Sequence, residues 1–152
     1  MENLSFKIGL SAQFWAKRPE YSVAVDGQEF AHRLISGNSG EVEYIEFTVN
    51  NLADGPHTLE IGLLNKEPSD TVESPDKTSI LSDMILTIEN IEIDDIDLST
   101  LIYTHSYYQP VKKQIYNGEV VDQLTQCVNL GWNGTYFLPF SSPFYLWLLS
   151  TL

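Results

Sequence analysis

The stretch that decides the fold is EYIEFTVNNLADGPHTLEIGLL, residues 43–64. It contains two runs in which apolar and polar residues alternate. A period of two indicates β-strands that are buried on one face. The two apolar rows are Ile45, Phe47 and Val49, then Leu59, Ile61 and Leu63. The residues between the runs, NNLADGP, are turn formers throughout. We therefore predict two strands joined by a turn.

Similar patterns lie on both sides of this stretch. Upstream, LSFKIGL places one apolar row on a single face: Leu4, Phe6, Ile8 and Leu10. A second run, YSVAV, leads into Asp26-Gly27, a pair suited to a tight hairpin turn. Downstream, DMILTIENIEIDDIDL alternates with a disturbance at Glu89-Asn90, which indicates a bulge. Many short strands predict an all-β fold, a β-sandwich or jelly roll that forms a single domain over residues 1–152.

Two regions lack a clear strand pattern. Residues 65–79, NKEPSDTVESPDKTS, are polar and contain Pro68 and Pro75, so we predict a long surface loop. The pattern is blurred over residues 99–126. There we predict an excursion that contains a short helix near residues 120–126.

The composition argues against several classes of partner. The chain has 8 basic and 21 acidic residues, a formal net charge of −13. This excess repels phosphate backbones and anionic lipids, so we expect neither nucleic acid nor membrane as a partner. The apolar run at residues 144–149 is too short for a membrane-spanning helix, which needs roughly 20 apolar residues. One cysteine, Cys127, allows no internal disulfide.

Three segments in order resemble the calcium-dependent xylan-binding carbohydrate-binding modules. They are VAVDG, LADGPHTLEIGLLNK and DMILTIENIEIDDIDL, and the match covers roughly residues 21–98. A Gly-Pro-His turn at residues 55–57, the pair Asn65-Lys66 and the strand start at Asp83 take the places of family motifs. The resemblance implies a jelly-roll sandwich that binds polysaccharide with the help of calcium.

The resemblance transfers only part of a calcium site. Asn65 and Asp83 occupy family positions, but Lys66 stands where the family has an acid, and Met84-Ile85 replaces an Arg-Asn pair. With a loop acid added, the candidate calcium ligands are Asn65, Asp70 and Asp83. The favoured alternative is that the acids face solvent, because Glu92 and Asp94 alternate with isoleucines on one strand and the loop acids, including Asp70, form a solvated charge run.

Aromatic side chains provide candidate sugar-binding surfaces. Tyr and Trp combine apolar area with a polar tip, which suits sugar faces and subunit interfaces. LGWNGTY places Trp132, Asn133 and Tyr136 around a predicted turn. YYQP offers Tyr107 and Tyr108 as a second surface. An equally weighted alternative is that Trp132 caps the core of the sandwich.

Residues 123–152 contain no charged side chain. Within them we predict that FYLWLL, residues 144–149, forms a strand, which would be apolar on both faces. Large exposed apolar patches are rare on monomers, so one face is expected to contact another subunit. The predicted interface residues are Phe144, Tyr145, Leu146, Trp147 and Leu148.

The C-terminal segment and the preceding domain are together similar to virion proteins of tailed bacteriophages, including those that infect marine cyanobacteria. This similarity implies a non-catalytic decoration or tail component of the virion, assembled in the host cytoplasm. Its partners would be other virion subunits or further copies of itself, and host polysaccharide would be a further ligand. The alternative is a free or enzyme-appended calcium-dependent polysaccharide-binding module, with calcium as the one cofactor considered. An enzyme is disfavoured because no two carboxylates stand out as a glycosidase pair.

Overall fold

The alternating residues near the N-terminus form a central strand. The computed structural model describes residues 1–152, and in it Leu4, Ile8 and Leu10 are fully buried. The rows predicted from residues 43–64 also face the core, where Leu59 and Ile61 are fully buried. Burial of one face of each strand is the main source of stabilisation in such a fold.

The elements follow one another along the chain with short connections. In chain order they are β1 (Glu2–Gln13), β2 (Glu20–Val25), β3 (Gln28–Leu34), β4 (Glu43–Leu52), β5 (Gly55–Leu63), a 3-10 turn (Pro68–Asp70), β6 (Val72–Glu73), β7 (Ile80–Ser82), β8 (Ile85–Ile93), β9 (Ile96–Asp97), α1 (Leu101–Thr104), β10 (Tyr107–Pro110), β11 (Gln114–Tyr116), β12 (Glu119–Val121), β13 (Leu124–Thr125), β14 (Asn129–Leu130), β15 (Gly134–Ser142) and α2 (Phe144–Thr151).

Two antiparallel sheets enclose the core. The first has the order β14-β8-β1-β4, with β9 paired to β8, and the second has the order β13-β10-β15-β5-β2-β3. The turn predicted in NNLADGP joins β4 of the first sheet to β5 of the second. The chain crosses between the sheets many times, as in jelly rolls, and the buried core draws on both sheets. The predicted all-β sandwich is confirmed.

Two local predictions about backbone geometry are also confirmed. Asp26 and Gly27 have φ angles of 51° and 82° and connect β2 to β3. Glu89 is the extra residue of a bulge, because Gly9 pairs with Asn90 while Leu10 pairs with Ile88. Both features come from short-range sequence signals.

The regions without a strand pattern differ from the prediction. Residues 65–79 contain a 3-10 turn and the strand β6, which pairs with β7 in a two-stranded ribbon. The predicted short helix near residues 120–126 is wrong, since residues 120–125 lie in β12, β13 and their connection and Gln126 lies in a bend. Strand β12 pairs with β11 across Asn117-Gly118, with φ angles of 51° and 81°. This is the backbone geometry of a two-residue hairpin loop.

The predicted strand at residues 144–149 is also wrong, because these residues lie in the helix α2. Pro143 precedes the helix with φ −65° and ψ 130°, the extended backbone that is typical of the residue just before a helix. Residues three and four apart then share a face, so an apolar run with no period of two still buries one side. No helix of the chain has the length and apolar character to span a membrane.

The five predicted interface residues lie on different sides of the helix α2. Phe144 and Leu148 are buried, so they belong to the core and are not available to another subunit. Trp147 is partly buried and packs edge-on against Phe140 of β15, with ring centroids 6.4 Å apart. Tyr145 and Leu146 face solvent. The predicted subunit contact is therefore corrected for Phe144 and Leu148, and for Tyr145 and Leu146 it stays a prediction.

Candidate functional site

An open groove of about 740 Å³ lies at the edge of the sandwich, where β5 ends and β15 begins. The two small ribbons, β6–β7 and β11–β12, flank it and contribute Ile80 and Gln114 to its lining. The charged lining residues are Lys66, Glu67, Asp83 and Lys112. The groove thus holds equal numbers of basic and acidic side chains, although the chain as a whole is strongly acidic.

One wall of the groove is an ion pair. Lys66 Nζ lies 2.7 Å from Asp83 Oδ1, and each side chain is only 12% exposed. The same ammonium donates to the carbonyl oxygen of Gly131 at 2.6 Å. Burial acts to raise the pKa of the Asp83 carboxyl, but hydrogen bonds from Lys66, Thr71 and the Met84 N–H lower this pKa below its usual value. Asp83 is therefore an anion that is held in place at neutral pH.

Asn133 fixes the backbone beside this pair. Its Oδ1 accepts a hydrogen bond from the Lys66 N–H at 2.7 Å, and its Nδ2 donates to the Lys66 carbonyl at 2.8 Å. The amide therefore closes a two-point contact with the backbone of a residue 67 positions away. Asn133 lines the groove and its amide contacts are structural, so a sugar contact at this residue stays a prediction.

Trp132 is presented to the groove by a buried tyrosine. The Trp132 N–H donates to the Tyr108 hydroxyl at 2.9 Å, and that hydroxyl donates back to the Trp132 carbonyl. The Trp132 ring lies against Tyr108 with ring planes 12° apart, and Tyr116 approaches it edge-on. Trp132 packs on the core with one part and lines the groove with another. The packing of Trp132 on the core agrees with one of the two alternatives from the sequence, and its role as a sugar platform stays a prediction.

Two predicted sugar-binding tyrosines are inaccessible. Tyr108 and Tyr136 are fully buried, and burial raises the pKa of both hydroxyls. The Tyr136 hydroxyl donates to the Ile102 carbonyl at 2.5 Å. Successive side chains of a strand point to opposite faces. Tyr108 of β10 and Tyr136 of β15 both point into the core. As sugar-contacting residues these two predictions are corrected.

Tyr107 faces the other way. It is partly exposed and stacks on Phe137, its cross-strand partner, with ring centroids 4.9 Å apart. The pair lies on the outer face of the second sheet. Tyr107 does not line the groove, so it and Trp132 belong to separate surfaces.

The three predicted calcium ligands have separate partners. Asn65 Oδ1 accepts from the Glu20 N–H at 2.8 Å, and its Nδ2 donates to the Arg18 carbonyl. Asp70 is buried against Lys17, whose Nζ lies 3.2 Å from Oδ2. Only Asp83 lines the groove, and its Oδ1 is occupied by Lys66. Moreover, no group of three or more His, Cys, Asp or Glu side chains has an arrangement that could hold a metal ion.

The architecture is a β-sandwich of the kind found in carbohydrate-binding modules. Among solved structures the chain is similar to vCBM60 in complex with galactobiose, with a TM-score of 0.54, 11% identity, and coverage of 90% of this chain and 97% of that chain. It is also similar to a selenomethionine form of vCBM60 that is described as linking two families of calcium-dependent carbohydrate-binding modules through circular permutation. That likeness has a TM-score of 0.53, 10% identity and coverage of 89% of each chain.

These likenesses show the fold alone, because the identities are near 10%. No protein-family model matches the chain, and no curated protein matches it in sequence.

Sequence reasoning missed the role of Lys66 as a wall of the groove, because it considered Lys66 only as the loss of an acid. It also missed Glu67 and Lys112, which line the groove beside it. A signal was present: a run of polar residues directly after a buried strand is where binding residues concentrate. What the sequence could not give was the partner of each charge.

Proposed function

We propose that this chain is a non-catalytic carbohydrate-binding module and that the groove beside Trp132 is its binding site. The observation that supports this most is a partly exposed tryptophan, held by a buried hydroxyl, next to an ordered set of polar groups in an open groove. Ligand sites combine apolar aromatic surface with a few well-placed polar groups. The sandwich fold is consistent with the same class of function.

The chemistry of the groove suits a neutral saccharide. A tryptophan ring offers apolar area to the C–H face of a sugar and keeps a polar tip for hydrogen bonding. Lys66, Glu67 and Lys112 supply donors and acceptors around it. The strong negative charge of the whole chain disfavours acidic polysaccharides.

The carboxylates of the groove support a binding role over a catalytic one. A glycosidase needs two carboxyl groups placed on either side of the scissile bond. Here Glu67 lies 2.5 Å from Lys17 Nζ and Asp83 lies 2.7 Å from Lys66 Nζ. Each acid is thus paired with its own lysine. Incubation with polysaccharide should release no reducing ends.

The test is a neutral-glycan array probed with the parent chain and with three single variants. Trp132→Ala should weaken binding by about thirtyfold or more, since truncating a central tryptophan costs about 2 kcal/mol or more at such sites. Trp15→Ala is the matched control, because Trp15 is exposed but does not line the groove. Tyr107→Ala tests the outer face. If Tyr107→Ala loses binding and Trp132→Ala does not, the binding site is the outer face of the second sheet and not the groove.

A second candidate function is assembly, and one observation favours it. Tyr145, Leu146 and Leu149 on the outer side of α2 are 54%, 65% and 70% exposed. We infer that this row contacts further copies of the chain or other subunits, as in the proposed virion decoration or tail component. Light scattering should give a mass above that of one chain, and Leu146→Glu should reduce it. A monomer at every concentration would contradict self-association.

A further inference from the structure

Of the two lysines that line the groove, Lys66 has its ammonium held in place by hydrogen bonds. Lys66 Nζ is 2.7 Å from Asp83 Oδ1 and 2.6 Å from the Gly131 carbonyl oxygen. An ammonium has three N–H donors, so these two contacts leave one donor for a ligand. The side chain lines the groove and is 12% exposed. A single positive charge is therefore fixed at the groove wall.

The groove does not fit calcium. Calcium takes six to eight oxygen ligands, but Asp83 Oδ1 already accepts from Lys66, from the Thr71 hydroxyl at 2.7 Å and from the Met84 N–H at 2.8 Å. The other acid of the groove, Glu67, is paired with Lys17. The fixed ammonium would also repel a divalent cation placed beside Asp83.

The position of Lys66 is stabilised from both sides. Its backbone is held by the two hydrogen bonds to the Asn133 amide, and its side chain ends on Asp83. Asp83 is in turn held by Thr71, which follows the 3-10 turn. A donor that is fixed before the ligand arrives costs less ordering on binding than a mobile surface lysine does.

We propose that the groove binds a neutral saccharide without any metal ion, with the Lys66 ammonium donating a hydrogen bond to a sugar hydroxyl while Trp132 packs against the ring. This inference rests on the carbohydrate-binding function proposed above. A charge-assisted donor of this kind is roughly twice as strong as a neutral one. Asp83 offsets the charge of Lys66, so the site does not select for an acidic sugar.

The first experiment is the neutral-glycan array read in two buffers, one with excess EDTA and one with millimolar calcium chloride. The same glycans should bind with the same half-saturation in both. Binding that requires calcium would overturn the metal-free proposal and leave the carbohydrate-binding function standing. Absence of binding in both buffers would overturn both.

The second experiment does not need the glycan. Calorimetric titration of calcium chloride into the parent chain should give no saturable heat, and calcium should leave the melting temperature unchanged. A saturable heat with a rise in melting temperature would overturn the proposal. This measurement uses the unmodified chain, so it does not depend on the folding of any variant.

The third experiment tests the donor itself. Lys66→Met keeps the length of the apolar stem and removes the ammonium, and it should weaken binding of the array glycan about tenfold or more. Lys7→Met is the control, because Lys7 lies over Tyr44 and does not line the groove. If Lys66→Met is folded by circular dichroism and binds as well as Lys7→Met does, Lys66 is not the donor.

Discussion

Strand β15 has two ends, and they are stabilised in different ways. At its start, Asn133 pairs with the Lys66 backbone and Trp132 with the Tyr108 hydroxyl. At its other end, Ser142 and the Phe144 N–H donate to the Glu2 carboxylate, the latter at 2.7 Å. Both ends belong to the uncharged residues 123–152. The start is therefore held by a backbone amide and a tyrosine hydroxyl, and the other end by a carboxylate, each from a distant part of the chain.

The two ends differ in what they leave exposed. The start leaves an open groove with fixed polar groups and part of a tryptophan ring. The far end leaves the apolar outer side of α2, with Leu146 and Leu149 in solvent. Similar composition thus gives a polar, pre-ordered surface in one place and an apolar one in the other. Hydrophobic content alone does not distinguish a ligand site from a contact surface.

The largest effect is expected from Phe144→Ala at the helix end. Phe144 is fully buried and packs on Trp147, with ring centroids 5.9 Å apart. Deleting a buried phenylalanine costs about 3–5 kcal/mol through lost transfer energy and a cavity. Urea unfolding should show this loss. The control Leu149→Ala removes an exposed side chain and should stay within about 0.5 kcal/mol. Equal effects of the two variants would mean that α2 does not pack as described.

The second-largest loss of stability is expected from Gly134→Ala at the groove end of β15. A Cβ there would lie 2.4 Å from the Gln109 carbonyl oxygen and 2.7 Å from Pro110 Cα. Both are backbone atoms, so the strands β10 and β15 must separate, and we expect a loss of about 2–3 kcal/mol. Gly131→Ala is the control, because a Cβ at Gly131 meets nothing within 4 Å. An unchanged unfolding midpoint for Gly134→Ala would contradict the close approach of the two strands.

The sandwich could be predicted because its signals are local. Alternation over seven or more residues defines which face is buried, and Asp26-Gly27 and Glu89-Asn90 indicate a turn and a bulge within one or two residues. The hairpin at Asn117-Gly118 has an equally local signal. It was not predicted because the residues on both sides of it show no clear alternation.

The site and the terminal helix could not be predicted in the same way. An apolar run as short as residues 144–149 fits a strand or a helix equally well, and the choice depends on packing against Phe140. The Lys66–Asp83 pair, the contact of Asn133 with Lys66 and the contact of Glu2 with Phe144 join residues 17, 67 and 142 positions apart. Those partners are set by the arrangement of the two sheets.

A smaller loss of stability is expected from Tyr108→Phe. This variant removes the hydrogen bonds of the hydroxyl and keeps the packing of the ring. The variant keeps the ring and leaves the Trp132 N–H and carbonyl without their partner. A loss of about 1–2 kcal/mol is expected when buried polar groups lose a hydrogen bond. Tyr107→Phe is the control on the outer face and should be near neutral. If the proposed function holds, Tyr108→Phe should also weaken glycan binding more than Tyr107→Phe does.

The smallest effect is a difference in pH dependence at the helix end of β15. His57, the cross-strand partner of Phe140, places Nδ1 2.6 Å from Asp26 and Nε2 2.6 Å from the Ala53 carbonyl. Both partners only accept hydrogen bonds, so the doubly protonated ring satisfies them best. Burial acts to lower the pKa of His57, but the bonds to Ala53 and Asp26 raise it above its usual value.

A raised pKa means that the stabilisation from His57 is complete below about pH 6.5 and is lost as pH rises through the folded pKa. The difference in unfolding free energy between the parent and His57→Gln should therefore be larger at pH 6 than at pH 9, by less than about 1 kcal/mol. In an Asp26→Asn background, which keeps the positive φ of 51° accessible, this pH trend should become flatter. A trend of the opposite sign would show that His57 is neutral in the folded chain. At the groove end the expected trend has the opposite sign, because the lowered pKa of the Asp83 carboxyl makes its stabilisation disappear only as pH falls below about 4.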